Sequence, residues 1–214
     1  MIYAENILIC ITVPLLITLL FIKGNTRRFI ASFLTGMAVF LLAAYISGFI
    51  SIIDSLGESD TMIFISPIIE EIMALLPILF YLFLFEPEDI SLFLVGLGIG
   101  AGFATFENCC YILTYGADNL TYVMIRGLAV GVMHIICELI LVFALVISRH
   151  YNMLSLSGIM GALSLSMIFH ALYNLLVSEP GFTSYIGYSL PLFTATLLYI
   201  PYRKFQVPYQ AYLQ

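Results

Sequence analysis

Long apolar runs alternate with short polar breaks along the whole chain. The runs fall at about 6–22, 29–53, 61–85, 90–115, 119–148, 153–177 and 184–202. A helix rises about 1.5 Å per residue, so about 20 apolar residues cross the roughly 30 Å hydrocarbon core of a bilayer. The pattern predicts an all-α fold, a polytopic transmembrane helix bundle of seven spans, or six if the short first run does not cross. The breaks begin at Lys23, Asp54, Glu86, Gly116, Arg149, Ser178 and Arg203, and none is long enough for a second domain. Residues 1–214 therefore read as one transmembrane domain without internal repeats.

Two details inside the runs bear on packing. Gly96, Gly98, Gly100 and Gly102 interleave two small-xxx-small spacings, and Gly127 and Gly131 make another. Such rows let helix backbones approach closely. Pro67 and Pro77 bracket Glu70 and Glu71 in the third run. Each proline removes a backbone hydrogen bond, which predicts a bend with room for water beside the acid pair.

Composition agrees with the pattern. The chain is 62% apolar and 9% charged, with mean hydropathy +1.09, whereas soluble domains carry about 25% charged residues. A soluble enzyme with one anchor is excluded. The net charge of −6 contains no basic tract that would suit a nucleic acid. The acidic leader residue Glu5 does not fit a secretory signal peptide. Cys10, Cys109, Cys110 and Cys137 all fall in apolar runs and read as small buried hydrophobes, with metal ligation by Cys137 or Cys109 the minor alternative. With seven spans, Lys23, Arg27, Arg28, Arg149, Arg203 and Lys204 share one side. The opposite breaks hold Asp54, Glu58, Asp60, Asp118 and Glu179. Basic residues stay inside, so the N-terminus is predicted outside and the C-terminus inside.

The chemistry lies in the polar groups that the apolar runs retain. Of seven basic and thirteen acidic side chains, Glu70, Glu71, Glu107, Arg126 and Glu138 sit within runs, as do His134 and His170. A charge at mid-membrane costs about 2.5–3.5 kcal/mol on insertion scales, so such groups mark function. Counted from the predicted outer ends, Glu70 lies roughly 14 Å deep and Glu107 roughly 12 Å deep. Arg126, His134, His170 and Asn174 fall in the same outer half or near the midplane. The pairs His170 and Asn174, Glu107 and Tyr111, and His134 and Glu138 are each four apart and share a helix face. Arg126 and His134, eight apart, share one too. Arg126 reads as a counter-ion for Glu107 or Glu71, because buried charges need partners. Glu107 with Tyr111 reads equally as a helix brace, and Glu138 as a structural partner or an orienter of His134. His150, in an inner break, reads as solvated.

The ordered set resembles the PrsW family of intramembrane proteases, within the wider group of CAAX-protease-like membrane peptidases. The resemblance rests on Glu70–Glu71, then Val130–Gly131–Val132–Met133–His134, then His170–Ala171–Leu172–Tyr173–Asn174, with Phe106–Glu107–Asn108–Cys109–Cys110–Tyr111 marking the PrsW branch. Together they cover the third to sixth runs. The family often places a basic residue shortly after the glutamate pair, where this chain has Ala74 and Leu75. Either Arg126 supplies that charge from another helix or the second carboxylate is protonated.

The reading that follows is an intramembrane endopeptidase in a cell membrane, crossing it several times. Peptide hydrolysis needs an activated water, a stabilised oxyanion and a proton for the leaving amine. The resemblance makes Glu70 the general base, with Glu71 orienting or protonated. His134, His170 and Asn174 bind zinc or donate to the oxyanion. A zinc ligand set of His134, His170 and Glu107 would resemble catalytic sites that keep one position open. No His-Glu-x-x-His helix is present, so spacing does not decide between metal-dependent and metal-free chemistry. The resemblance implies, as substrate, a membrane-anchored protein such as an anti-sigma-factor-like regulator, cut near the outer face. The alternatives are a proton- or ion-coupled transporter, since buried Glu and His also build proton relays, and a non-catalytic scaffold for a partner's helix. A retinal receptor is disfavoured because the seventh run has no lysine before Lys204.

Overall fold

The computed structural model describes residues 4–53, 61–151 and 156–211. The acidic break with Asp54, Glu58 and Asp60, on which part of the charge asymmetry rests, lies outside them. The helices are α1 (Ala4–Thr18), α2 (Gly24–Ile53), α3 (Ser66–Phe85), α4 (Asp89–Tyr115), α5 (Leu120–Ile125), α6 (Gly131–His150), α7 (Leu156–Ser178) and α8 (Phe182–Ala211). A π-helical turn at Thr61–Ile65 leads into α3, and a second, at Arg126–Val130, joins α5 to α6. No strand occurs among the described residues.

The chain is a polytopic helical membrane protein. Five helical stretches are long and apolar enough to cross a bilayer: Gly24–Ile52, Ile63–Phe85, Asp89–Tyr115, Leu120–His150 and Leu156–Ser178. They correspond to the second to sixth apolar runs. The first run forms the 15-residue α1, shorter than a full span. The seventh becomes the 30-residue α8, which is not among the five.

The breaks act as local chemistry requires. Glu86 closes α3 in the left-handed region (φ 43°), its N–H bonded to Leu82 O at 3.1 Å. Pro87 then prevents the helix from resuming. Gly116 (φ 89°) ends α4, and the Asn119 side chain caps α5 by accepting from Tyr122 N–H at 3.2 Å. Pro67 stands in the first turn of α3, where a missing N–H costs little. Pro77 lies inside the same continuous helix.

Helix α4 is the centre of the bundle. In its most apolar stretch 72% of residues are buried, against 28% for α7. Its glycines explain how it can be central. A Cβ at Gly102 would lie 1.9 Å from Phe33 O and one at Gly98 2.7 Å from Ser32 Cβ, both on α2. On the other face a Cβ at Gly96 would lie 2.6 Å from Val142 Cγ2, and one at Gly100 2.9 Å from Ile135 Cα, both on α6. The two interleaved rows therefore serve two different neighbours. Gly131 and Gly127 part company: a Cβ at Gly131 would come within 3.2 Å of Asn108 Nδ2, while Gly127 faces open space.

One end of the bundle is tied by ions. Arg28 donates to Asn25 Oδ1 (2.8 Å) and Ser91 Oγ (3.0 Å). Arg149 donates to Pro87 O (2.7 Å) and pairs with Asp89, whose other oxygen meets His150 Nε2 at 2.8 Å. His150, read as solvated, is thus paired although its side chain stays 58% exposed. Glu70, Glu107, Arg126, His170 and Asn174 stand toward the other ends of their helical stretches.

Candidate intramembrane active site

Four helices bring their polar residues to one cavity of about 310 Å³. Helix α3 supplies Ser66 and Glu70, α4 supplies Glu107 and Tyr111, the second π-turn and α6 supply Arg126, Met133 and His134, and α7 supplies His170, Tyr173 and Asn174. Both π-turns border it, through Ile63 and through Arg126 and Val130. Such turns displace side chains from the regular helical register and recur at functional sites.

The two adjacent glutamates have different surroundings. Glu71 is 3% exposed and does not line the cavity. Its Oε1 lies 2.8 Å from His170 Nδ1. The Ser166 hydroxyl contacts Glu71 Oε2 and also lies 3.0 Å from Cys137 O. Neighbouring helix residues point about 100° apart, so Glu70 faces the cavity while Glu71 turns to α7. Glu70 Oε2 stands 3.7 Å from His170 Nε2. With Glu71 ionised, His170 carries its proton on Nδ1 and leaves Nε2 as a free donor atom.

A second chain of contacts holds the other imidazole. Glu107 Oε1 accepts from Arg126 Nη2 at 2.8 Å, and its Oε2 touches His134 Nε2. Arg126 Nε donates to Asn108 Oδ1 (2.9 Å), and Asn108 Nδ2 donates back to Arg126 O (3.1 Å). The Arg126 guanidinium lies 4.0 Å from the centre of the Tyr111 ring. The charge of Arg126 thus goes to Glu107, with no bond to Glu71. The rings of His134 and His170 meet edge to face at 5.1 Å.

The donor set suits a metal ion. Glu70, His134 and His170 each offer a ligand atom, and all three lie within 4.8 Å of one another. Two donors bound at about 2.0–2.1 Å in a tetrahedral site sit roughly 3.4 Å apart, close to the Glu70–His170 spacing. The tie of His170 Nδ1 to a carboxylate is the usual outer contact of a metal-bound imidazole. Glu71, Cys137 and His170 form a second group of donors. Within it Glu71 is already bonded to His170 Nδ1, and neither Glu71 nor Cys137 lines the cavity. Glu107, expected among the ligands, stands instead between Arg126 and His134.

The remaining candidates fall into place around this centre. Asn174 lines the cavity, and Tyr111 stacks on Arg126. Glu138 lies apart, 4% exposed, with its Cγ 3.0 Å from where a Gly100 Cβ would stand. Its Oε2 has no hydrogen-bond partner among the described residues. Cys137 is buried, Cys109 and Cys110 are half-buried, and Cys10 is exposed on α1, so the four do not share one environment. Asn108, Ser166 and Tyr173 were not singled out from the sequence. Ser166 carries a helical signal, four residues before His170, and Asn108 directly follows Glu107.

No curated protein and no solved structure matches the chain. The sequence model of the PrsW family, described as an intramembrane metalloprotease, matches residues 25–201. That stretch holds every side chain of the cavity and supports an intramembrane endopeptidase. The chain belongs to the PrsW family of intramembrane metalloproteases.

Proposed function

We propose that Glu70, His134 and His170 form the catalytic centre of a zinc-dependent endopeptidase that cuts membrane-anchored proteins. One observation carries this reading: His170, held at Nδ1 by Glu71, directs Nε2 toward Glu70 beside His134 in a shared cavity. These three side chains would hold the metal, and a Glu/His/His set favours zinc with an open position for water. When bound, zinc acidifies a water and polarises a carbonyl. Glu70 accepts the proton of the attacking water and returns it to the amine nitrogen as the C–N bond breaks. Glu71 and Glu107 keep the two imidazoles in orientation, Arg126 neutralises Glu107, and Asn174 positions the substrate backbone.

The place of the site supports the choice of substrate class. The cavity lies away from the Arg28 and Arg149 end, which the positive-inside rule puts inside. A single-span regulator of the anti-sigma-factor kind, cut near the outer face of the cell membrane, fits that geometry. The wider likeness to CAAX-protease-like peptidases rests on the same glutamate pair and the later histidines.

The test combines cleavage of a quenched transmembrane peptide with metal analysis on detergent-purified protein. Wild type is expected to cleave and to contain zinc. His170→Ala is expected to lose both. Glu70→Gln is expected to lose cleavage, and its zinc content tells whether the carboxylate binds metal as well as proton. Full cleavage by Glu70→Gln overturns the assignment.

A further inference from the structure

Tyr173 is 2% exposed, and its hydroxyl oxygen is buried without a hydrogen-bond partner among the described residues. It lines the cavity with Glu70, His134, His170 and Asn174. It stands three residues after His170 on α7, so the two side chains share a face. Its side chain packs in one apolar cluster with Ala129, Met133 and Cys137. A buried tyrosine normally finds a partner for its O–H. Two charged groups of the same cavity already have partners. Arg126 is paired with Glu107 and Asn108, and Glu107 also with His134. The phenol O–H is thus a buried donor without a partner among the described residues, on a side chain that borders the cavity.

We propose that Tyr173 is a further catalytic residue, its O–H donating to the carbonyl oxygen of the scissile peptide bond. The proposal rests on the endopeptidase reading above. As water oxygen bonds to the carbonyl carbon, the C=O π pair moves onto oxygen, and the phenol O–H holds the resulting anion. When the C–N bond breaks, the pair returns to re-form C=O, the proton held by Glu70 goes to the leaving nitrogen, and Tyr173 keeps its own proton. A donor aimed at charge that develops only in the transition state lowers the barrier without tightening substrate binding.

Tyr173→Phe removes the hydroxyl and keeps the ring. Against the quenched transmembrane peptide it is expected to lose about 10²–10³-fold in kcat with KM little changed. It is expected to bind a phosphinate analogue of that peptide more weakly by a similar factor, with zinc content and thermal unfolding as in wild type. Wild-type kcat and phosphinate affinity in Tyr173→Phe, while Glu70→Gln is inactive, overturn the proposal alone. So does a normal Tyr173→Phe beside a crippled Tyr173→Leu, which assigns the residue to packing. Absence of both cleavage and phosphinate binding in wild type overturns the endopeptidase reading, and this proposal with it.

Discussion

Each imidazole of the site has a carboxylate of its own: Glu71 for His170 and Glu107 for His134. This pairing fixes ring orientation and leaves one nitrogen of each ring for a ligand. It also accounts for Ala74, where the resemblance leads to the expectation of a basic residue. Ala74 is 2% exposed in the apolar core, and Glu71 is served by an imidazole and a hydroxyl, so no cation is required there. Glu71→Gln keeps an acceptor for His170 but removes the charge. It is expected to weaken zinc binding by roughly 10–100-fold, as read by competition with a chromogenic chelator, while leaving the helix content intact. An unchanged zinc affinity would show that Glu71 does not support His170. The sequence disclosed Glu70, Glu71, Glu107, Arg126, His134 and His170 because charge inside apolar runs is conspicuous. Asn108, Ser166 and Tyr173 stayed hidden because amides, hydroxyls and phenols are ordinary residues of membrane helices, and only their contacts distinguish them.

At the scale of elements, α4 decides the architecture. The interleaved glycines were readable as close-packing rows, but the identity of the two partners was not. Gly98 and Gly102 turned out to face α2, and Gly96 and Gly100 to face α6. Gly102→Val places a branched side chain where even a Cβ would stand 1.9 Å from a backbone oxygen. It is expected to destabilise the bundle by at least the roughly 1–3 kcal/mol typical of overpacking, measured as a lower midpoint in denaturing detergent. Gly161→Ala is the control on α7, since nothing lies within 4 Å of its added Cβ. It is expected to leave the midpoint unchanged or to raise it slightly, through helix propensity. A tolerant Gly102→Val would contradict the α2–α4 contact. The π-turns were invisible in the pattern, because one extra residue per turn barely alters an apolar run. Their consequence is large, since Arg126 at the start of the second turn and His134 after it both reach Glu107.

For the whole molecule, depth is the property that matters. The site occupies the half of the bundle away from the Arg28, Asp89, Arg149 and His150 cluster. A catalytic centre of this kind needs water, and the cavity provides room for it among otherwise apolar helices. On the positive-inside rule, the charge asymmetry of the breaks leads to the expectation that the cluster lies inside. A phosphatase reporter fused after residue 211 is therefore expected to be inactive, and a fluorescent protein at the same place to fluoresce. The reverse pattern would place the active site on the inner side and change the class of substrate.

The sequence by itself determined the helical membrane class, the polar residues that lipid would not tolerate and the family to which they belong. Those properties depend on composition and on spacing along one chain, which hydropathy and helical periodicity expose directly. Only the tertiary structure decided which carboxylate serves which histidine, which glutamate faces the cavity and which cation neutralises which anion. Those pairings join α3 to α7, and α4 to α6 and the second π-turn. Their geometry is set by how closely the α4 glycines let the helices pack and by the register shifts of the π-turns.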